Sequence, residues 1–210
     1  MAIAANCPSC AAPIRFTNKA TLFVVCDHCG CAVLRTNVGL EKIGKVGELA
    51  DDGTPVQIGT TGVFQGRSFN VLGRLQVSFP DGYWNEWFLD FDRGEPGWLG
   101  EAIGNYTVSF ATSSPGKVPP YGSLSPGQQI TIEKTVYFVK TLDEAEVVGA
   151  EGELPFRTEG GWKVPAADLT GEEGRFATID YSEATPRVYV GWHVEMPDLR
   201  LKNLRQVEGW

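Results

Sequence analysis

Hydrophobic and polar residues alternate along most of the chain after Thr54, in short runs that end at glycine-containing turns. A repeat of two residues is typical of β-strands with one buried face. We predict strands near residues 56–59, 61–64, 68–79, 84–91, 96–100 and 106–111, and again near 129–133, 135–141, 145–151, 162–164, 174–181, 186–191 and 193–196. The fold class is therefore expected to be mainly β with little helix.

Two segments interrupt this β pattern. Residues 39–53 place apolar side chains at threefold spacing from Leu40 to Leu49, which predicts one short linker helix, although Gly44 and Gly47 weaken it. Residues 112–127 contain four prolines and three glycines, too many for the interior of a regular element. We interpret this second segment as a Pro/Gly linker.

The interruptions divide the chain into units of a size that small barrels use. Segments with about six short strands and little helix close most readily into barrels or rolls. We therefore predict two tandem SH3-like β-barrel units, the first over residues 54–111 and the second over residues 128–205. A separate N-terminal unit over residues 1–38 precedes the linker helix.

The N-terminal unit contains two Cys-x-x-Cys pairs, Cys7 with Cys10 and Cys26 with Cys29, separated by fifteen residues. Two such turns bring four thiolates to one point and predict a zinc ribbon. Because four thiolates fill every coordination position, we expect one structural Zn²⁺ per chain. Cys31 is the spare thiol and could compete with Cys29 as a ligand, but the regular Cys-x-x-Cys turn favours Cys29.

Disulfide or redox chemistry is the alternative explanation of the cysteines. Residues 1–6 lack the basic start and apolar core of a signal peptide, and five cysteines leave one unpaired. A thioredoxin-type pair at Cys7 and Cys10 would not explain the second pair. We expect a cytoplasmic protein with reduced cysteines and, since the longest apolar run has the length of a strand, no transmembrane segment.

The chain is acidic, with a net charge of −8, and almost all of the acid follows Asp51. Such a charge repels phosphate backbones, so nucleic acid is not expected as a partner. Residues 1–38 are mildly basic. Nucleic-acid binding through the ribbon is therefore kept only as the third hypothesis.

The densest candidate chemistry lies in WNEWFLDF at residues 84–91 and GWLGEA at residues 97–102. Strand alternation predicts a core face and an opposite face that mixes aromatic rings with carboxylates. The core face carries Trp87, Leu89 and Phe91, and the opposite face carries Trp84, Glu86, Phe88 and Asp90. The opposite face is either a binding groove or carboxylate site, with Glu101 as a third acid, or an ordinary half-buried strand.

Known catalytic patterns are missing from the sequence. It has no phosphate-binding loop, dinucleotide fingerprint, serine-hydrolase elbow or HExxH zinc site. His28 lies between two predicted ligands, where we expect it to face solvent, and His193 is expected to be a packed side chain rather than a base. No catalytic residue is assigned, and catalysis stays an open alternative.

The strings GTTGVFQGRSFNVLGRLQVSF, WNEWFLDFD and GWLGEA, together with the N-terminal cysteine pairs, resemble the domain-of-unknown-function 4178 family. The resemblance is clearest over residues 1–110. It implies a cytoplasmic bacterial protein with no assigned activity.

We expect a non-catalytic zinc-ribbon adaptor or assembly subunit that acts through protein–protein contacts with an unknown partner. Zinc ribbons and small barrels are rigid platforms whose sheet edges and exposed aromatic residues can receive peptides. The alternative is an enzyme with an uncharacterised carboxylate site around Glu86, Asp90 and Glu101.

Overall fold

The computed structural model describes residues 3–79, 82–158 and 160–207, and within them the protein is built from strands and three short 3₁₀ helices. The prediction of a mainly β fold is confirmed. The strands are β1 (Ile3–Asn6), β2 (Pro13–Phe16), β3 (Phe23–Val25), β4 (Cys31–Thr36), β5 (Gly39–Lys45), β6 (Thr61–Phe64), β7 (Arg67–Phe79), β8 (Gly82–Phe91), β9 (Glu95–Ala102), β10 (Asn105–Ala111), β11 (Gln129–Ile132), β12 (Thr135–Leu154), β13 (Trp162–Gly171), β14 (Arg175–Asp180) and β15 (Arg187–Val194). The 3₁₀ helices cover Asp92–Gly94, Tyr121–Ser123 and Met196–Leu199.

Eight antiparallel strands close into one barrel, in the order β7-β8-β9-β10-β15-β14-β13-β12 and back to β7. Two ladders join the halves of the chain. β10 pairs with β15 from Tyr106↔Val194 to Ala111↔Tyr189, and β12 pairs with β7 from Glu146↔Ser78 to Gly152↔Gly73. The barrel is therefore a joint product of both halves.

The prediction of two tandem SH3-like units is wrong, because the strands of both halves form a single barrel. Strands β7 to β10 form a four-stranded meander, and β12 to β15 form another. Each meander alone would leave two edges of unpaired backbone groups, which are costly and prone to aggregation. Pairing the edges of one meander with those of the other closes a single larger barrel without such edges.

The linker helix predicted over residues 39–53 is also absent, because residues 39–45 form β5 and pair with β4. Ile43 and Val46 pack against the barrel interior. A side chain at Gly47 would meet the carbonyl oxygen of Val148 at 1.9 Å, so this glycine permits close contact between two backbones. The threefold spacing of apolar residues in this segment thus comes from the burial of an extended chain and not from a helix.

Residues 112–127 lack strands, as a Pro/Gly linker should, but they do not separate two barrels. Val118 and Leu124 pack on the outer surface of β13 to β15, and the Tyr181 hydroxyl donates to the Pro119 carbonyl at 2.8 Å. The segment therefore covers one side of the barrel.

The barrel buries apolar residues on both faces of its wall. Inside, Phe88, Trp98 and Val147 belong to a lumen cluster. Outside, Trp87, Leu89 and Phe91 are at most 2% exposed and form a second cluster with residues flanking the barrel, such as Val56 and Leu199. The predicted core face of residues 84–91 is confirmed as core, and it lies on the outer face of the wall.

The four-cysteine ribbon is joined to the barrel by a continuous sheet. β3 pairs with the end of β12 through Val24↔Glu153 and Phe23↔Leu154, and Phe23 is fully buried in the lumen cluster. The backbone N–H and hydroxyl of Thr17 donate to Glu153 at 2.7 and 2.6 Å. The ribbon therefore contributes a side chain to the barrel core.

Among the residues described, no helix has the length and apolar character that would carry it across a membrane.

Candidate functional site

Each Cys-x-x-Cys pair lies in a tight turn closed by backbone hydrogen bonds. The Ala11 N–H donates to the Cys7 carbonyl at 2.9 Å, and the Gly30 N–H donates to the Cys26 carbonyl at 2.8 Å. Ala11 and Gly30 adopt the same left-handed conformation, with φ of 61° and 66°. The two turns are thus equivalent, although only the second has the glycine that this conformation favours.

The four sulfur atoms converge as a tetrahedral ion requires. The Sγ atoms of Cys7, Cys10, Cys26 and Cys29 all lie within 4.8 Å of one another. The Sγ–Sγ distance is 3.8 Å from Cys7 to Cys29 and from Cys10 to Cys26. Zinc–sulfur bonds of about 2.3 Å in a tetrahedron place sulfurs about 3.8 Å apart. The cluster is therefore able to bind a metal ion.

The thiols of this cluster perturb one another. Burial raises the pKa of Cys7. Amide hydrogen bonds from Ser9 and Cys10 and the thiol of Cys29 together lower it by more, so that the net pKa is about 6. The pKa of Cys10 is lowered by the Ala12 amide and raised more strongly by burial and the neighbouring thiols, to about 12. Four close thiols cannot all ionise without a cation, so a bound metal ion would allow the whole cluster to lose its protons.

Two residues that lie near the cluster in sequence are outside it. Cys31 is buried on β4, and its thiol donates to the Ala32 carbonyl at 3.5 Å. His28 is exposed between the two ligands of the second pair. The candidate ligand set consists of the four paired cysteines.

The interior of the barrel contains a second candidate site, a cavity of about 150 Å³. Side chains from all eight barrel strands line it: Leu75, Glu86, Trp98, Thr107, Val147, Trp162, Thr178 and Tyr189. Phe156, from the segment between β12 and β13, packs on Trp98 with ring centroids 5.7 Å apart. Apolar and aromatic groups form most of the wall, and a few polar groups interrupt it.

Glu86 is one of two carboxylates that line this cavity, and Asp180 on β14 is the other. Glu86 pairs with Leu75 on β7 and Gly100 on β9, and its Oε1 accepts a hydrogen bond from the Trp84 indole at 3.1 Å. Burial raises the pKa of Glu86 to about 7, with a further contribution from the charge of Asp168 and a partial offset by the Trp84 bond. Glu86 can therefore change its charge near neutral pH.

Asp168 on β13 is not among the residues that line the cavity, but its charge raises the pKa of Glu86, and this role was not predicted from the sequence. It accepts hydrogen bonds from the hydroxyls of Thr178 at 2.7 Å and Thr141 at 3.5 Å. The surrounding barrel wall limits its hydration and raises its pKa, although its side chain is solvent-exposed. Alternation in VPAADLTG places Asp168 on the same face as Trp162 and Val164, which is the signal that could have indicated it.

The three acids suggested as a carboxylate site do not converge. Asp90 accepts a hydrogen bond from the Asn18 side chain of the ribbon at 2.6 Å, so it is a docking contact. Glu101 lies on the outer face of the wall, where Thr54 and the Trp87 indole donate to it at 2.6 and 2.9 Å. Of the three suggested acids, only Glu86 lines the cavity.

Glu101 belongs to a buried polar network that the sequence analysis did not foresee. Asn85 donates to Asp52 at 2.7 Å and to Glu101 at 3.3 Å, and Arg74 donates to Asn85 and Asp52 at 2.8 and 2.6 Å. The Arg74 guanidinium also lies over the Trp87 ring, 4.9 Å from its centroid. Such a satisfied network fixes residues 50–54 on the barrel and has a structural role.

His193 is exposed on β15, and its ring lies 5.4 Å from that of Phe176. The ring contact fits the predicted packing role only in part, because the His193 side chain is exposed. It gives no support for acid–base catalysis by His193.

The family described as Domain of unknown function (DUF4178) matches residues 57–196, more than half of the chain. The chain belongs to this family. The matched region contains every strand of the barrel, so the closed barrel, its cavity and Glu86 all lie within the DUF4178 domain. The four-cysteine cluster precedes the domain. No curated protein and no solved structure matches the chain.

Proposed function

We propose that this DUF4178 protein is a non-catalytic binding protein in which a zinc ribbon stabilises one part of a barrel and the barrel lumen binds a small molecule. The observation that carries the proposal is the cavity to which all eight strands contribute side chains. Binding sites are typically concave and mostly apolar, with a small number of placed polar groups. The lumen meets each of these criteria.

The size of the cavity defines the scale of the ligand. A cavity of about 150 Å³ compares with engineered protein cavities that accept benzene. The ligand, or the part of it that enters the lumen, therefore has the volume of one six-membered ring with a small substituent.

Zinc is the metal we assign to the four cysteines, one ion per chain. Four thiolates in a tetrahedron favour Zn²⁺, and a closed set of four protein ligands is typical of structural sites. The ion would hold both Cys-x-x-Cys turns and, through β3, support Phe23 in the lumen cluster. Metal analysis of protein purified without added metal tests this assignment, and a zinc content far below one per chain would contradict it.

An adaptor function is the second candidate, and a surface feature favours it. Val136 and Phe138 on β12 are 41% and 45% exposed, and β11 beside them pairs with β12 alone. A peptide strand could add to this edge and place apolar side chains on the exposed pair. The protein partner stays unknown, and the reduced cysteines of a zinc ribbon suit the proposed cytoplasmic location.

Ligand-observed NMR with a library of single-ring fragments tests lumen binding. Ala166 lines the cavity, so Ala166→Leu should fill part of it and abolish fragment binding. Ala111 is exposed, and Ala111→Leu is the matched control that adds the same side chain outside the lumen. If no fragment binds, or if Ala166→Leu leaves binding unchanged, lumen binding is refuted.

A further inference from the structure

We propose that the lumen selects a small organic cation, an amine with an apolar body, whose charged group contacts Glu86. This inference rests on the proposed function, because it requires the lumen to be a binding site. It adds the chemical class of the ligand.

Aromatic rings form part of the wall on which an apolar cation would rest. They come from five strands and one connecting segment: Trp84, Trp98, Phe156, Trp162, Phe176 and Tyr189. The faces of such rings attract cations, and the attraction grows when water is excluded. A neutral ligand would gain only the burial of its apolar surface on the same wall.

The charges around the cavity also favour a cation. Glu86 and Asp180 line it, and Asp168 lies near enough to raise the pKa of Glu86. Arg187 is the one basic side chain among the described lining residues, and Glu183 is its ion-pair partner. The Arg187 guanidinium also lies over the Phe156 ring, 5.7 Å from its centroid. With Arg187 paired, the charge left facing the lumen is negative.

Glu86 has acceptor capacity left for a ligand. Its Oε1 accepts the hydrogen bond from the Trp84 indole, whereas its Oε2 accepts no hydrogen bond from any described residue. A carboxylate in an apolar cavity is costly unless a charged or hydrogen-bonding partner compensates it. An ammonium group of the ligand supplies both the opposite charge and the donors.

The lining contains a second carboxylate, Asp180, and several hydroxyl groups. The Asp180 carboxylate accepts a hydrogen bond from the Ser182 amide at 2.8 Å. Thr107 and Thr178 offer hydroxyls, and the Thr178 hydroxyl donates to Asp168. The proposal is tested at Glu86 because its carboxylate lies beside the lining rings, where the Trp84 indole donates to it.

Three ligands of nearly equal shape test the proposal: benzylamine, benzyl alcohol and benzoate. Their affinities would be measured by saturation-transfer NMR and by tryptophan fluorescence at about pH 8, where Glu86 is ionised and the amine is protonated. The metal-loaded 210-residue chain would be compared with Glu86→Gln, which keeps the size of the side chain. Glu172→Gln, in an exposed turn between β13 and β14, is the control.

We expect benzylamine to bind about tenfold or more tightly than benzyl alcohol, the scale of a charge-assisted hydrogen bond, and benzoate to bind more weakly than both. Glu86→Gln should bring benzylamine to within about threefold of benzyl alcohol, and Glu172→Gln should leave the preference intact. Equal binding of amine and alcohol by the unmodified chain would overturn the cation inference and leave lumen binding standing. Absence of binding by all three probes would overturn both.

Discussion

Glu86→Gln should change how the free energy of unfolding depends on pH. Glu86 lies on the wall of the barrel cavity, and burial there raises its pKa from 4.5 to about 7. The folded protein therefore holds this proton more tightly than the unfolded chain does. Stability is highest when the proton is bound in both states, and it is lost as pH rises from the unfolded pKa to the folded pKa.

The size of this effect follows from the two pKa values. Each pKa unit corresponds to about 1.4 kcal/mol, so a full shift of this size costs on the order of 3 kcal/mol above neutral pH. Between pH 5 and pH 8, on the order of 2 kcal/mol of that cost develops. Water that enters the cavity would reduce the figure, so it is an upper limit. Glutamine cannot ionise and avoids the cost.

Urea denaturation at pH 5 and pH 8, followed by tryptophan fluorescence, measures the effect. The stability of Glu86→Gln relative to the unmodified chain should rise by on the order of 2 kcal/mol from the lower to the higher pH. Changes elsewhere, including protonation of the cysteine ligands, affect both proteins equally and cancel in this difference. Glu172→Gln, at an exposed site, should show no such rise. A difference between Glu86→Gln and the unmodified chain that is independent of pH would refute the reasoning.

Three further predictions concern the metal, the core and nucleic acid. Cys26→Ser should abolish stoichiometric metal binding, as measured by elemental analysis. It should also lower the melting temperature of the barrel, because β3 carries Phe23 into the lumen cluster. A barrel transition at an unchanged temperature would contradict this coupling. Phe91→Ala should lower the free energy of unfolding, measured by urea denaturation, by about 3–5 kcal/mol, because it leaves a cavity in the packed outer cluster. A decrease below about 1 kcal/mol would be inconsistent with that packing. Fluorescence polarisation should detect no oligonucleotide binding at micromolar protein in about 150 mM salt, and submicromolar, salt-sensitive binding would make the ribbon a nucleic-acid site.

The positions of the strands were largely predictable from alternation. Predicted strands at residues 68–79 and 84–91 correspond to β7 (Arg67–Phe79) and β8 (Gly82–Phe91). The pairing of β10 with β15 and of β12 with β7 was not predictable in the same way. These ladders join segments far apart in sequence, and a local pattern does not encode which distant edge satisfies a strand.

The convergence of the four cysteines into a cluster able to bind a metal ion was predictable, because two Cys-x-x-Cys pairs at this spacing are typical of such a site. The lumen was harder to foresee, because both faces of the barrel wall are apolar. Trp87 on the outer face and Phe88 on the inner face are both fully buried, so neither hydrophobicity nor aromatic content distinguishes the two sides. Asp168 influences the pKa of Glu86 because closure of the barrel brings β13 and β8 around one lumen.

The closed barrel also changes the interpretation of the ribbon. In a chain of tandem units, a zinc ribbon could be removed without affecting the rest. Here, Asn18 donates to Asp90, Thr17 donates to Glu153, and Phe23 occupies the lumen cluster, so the ribbon contacts both β8 and β12. β8 carries Glu86 four residues before Asp90. We therefore expect that loss of a metal bound by the four cysteines would disturb the strand that positions the proposed ligand-binding carboxylate, so that metal occupancy would affect the state of the lumen.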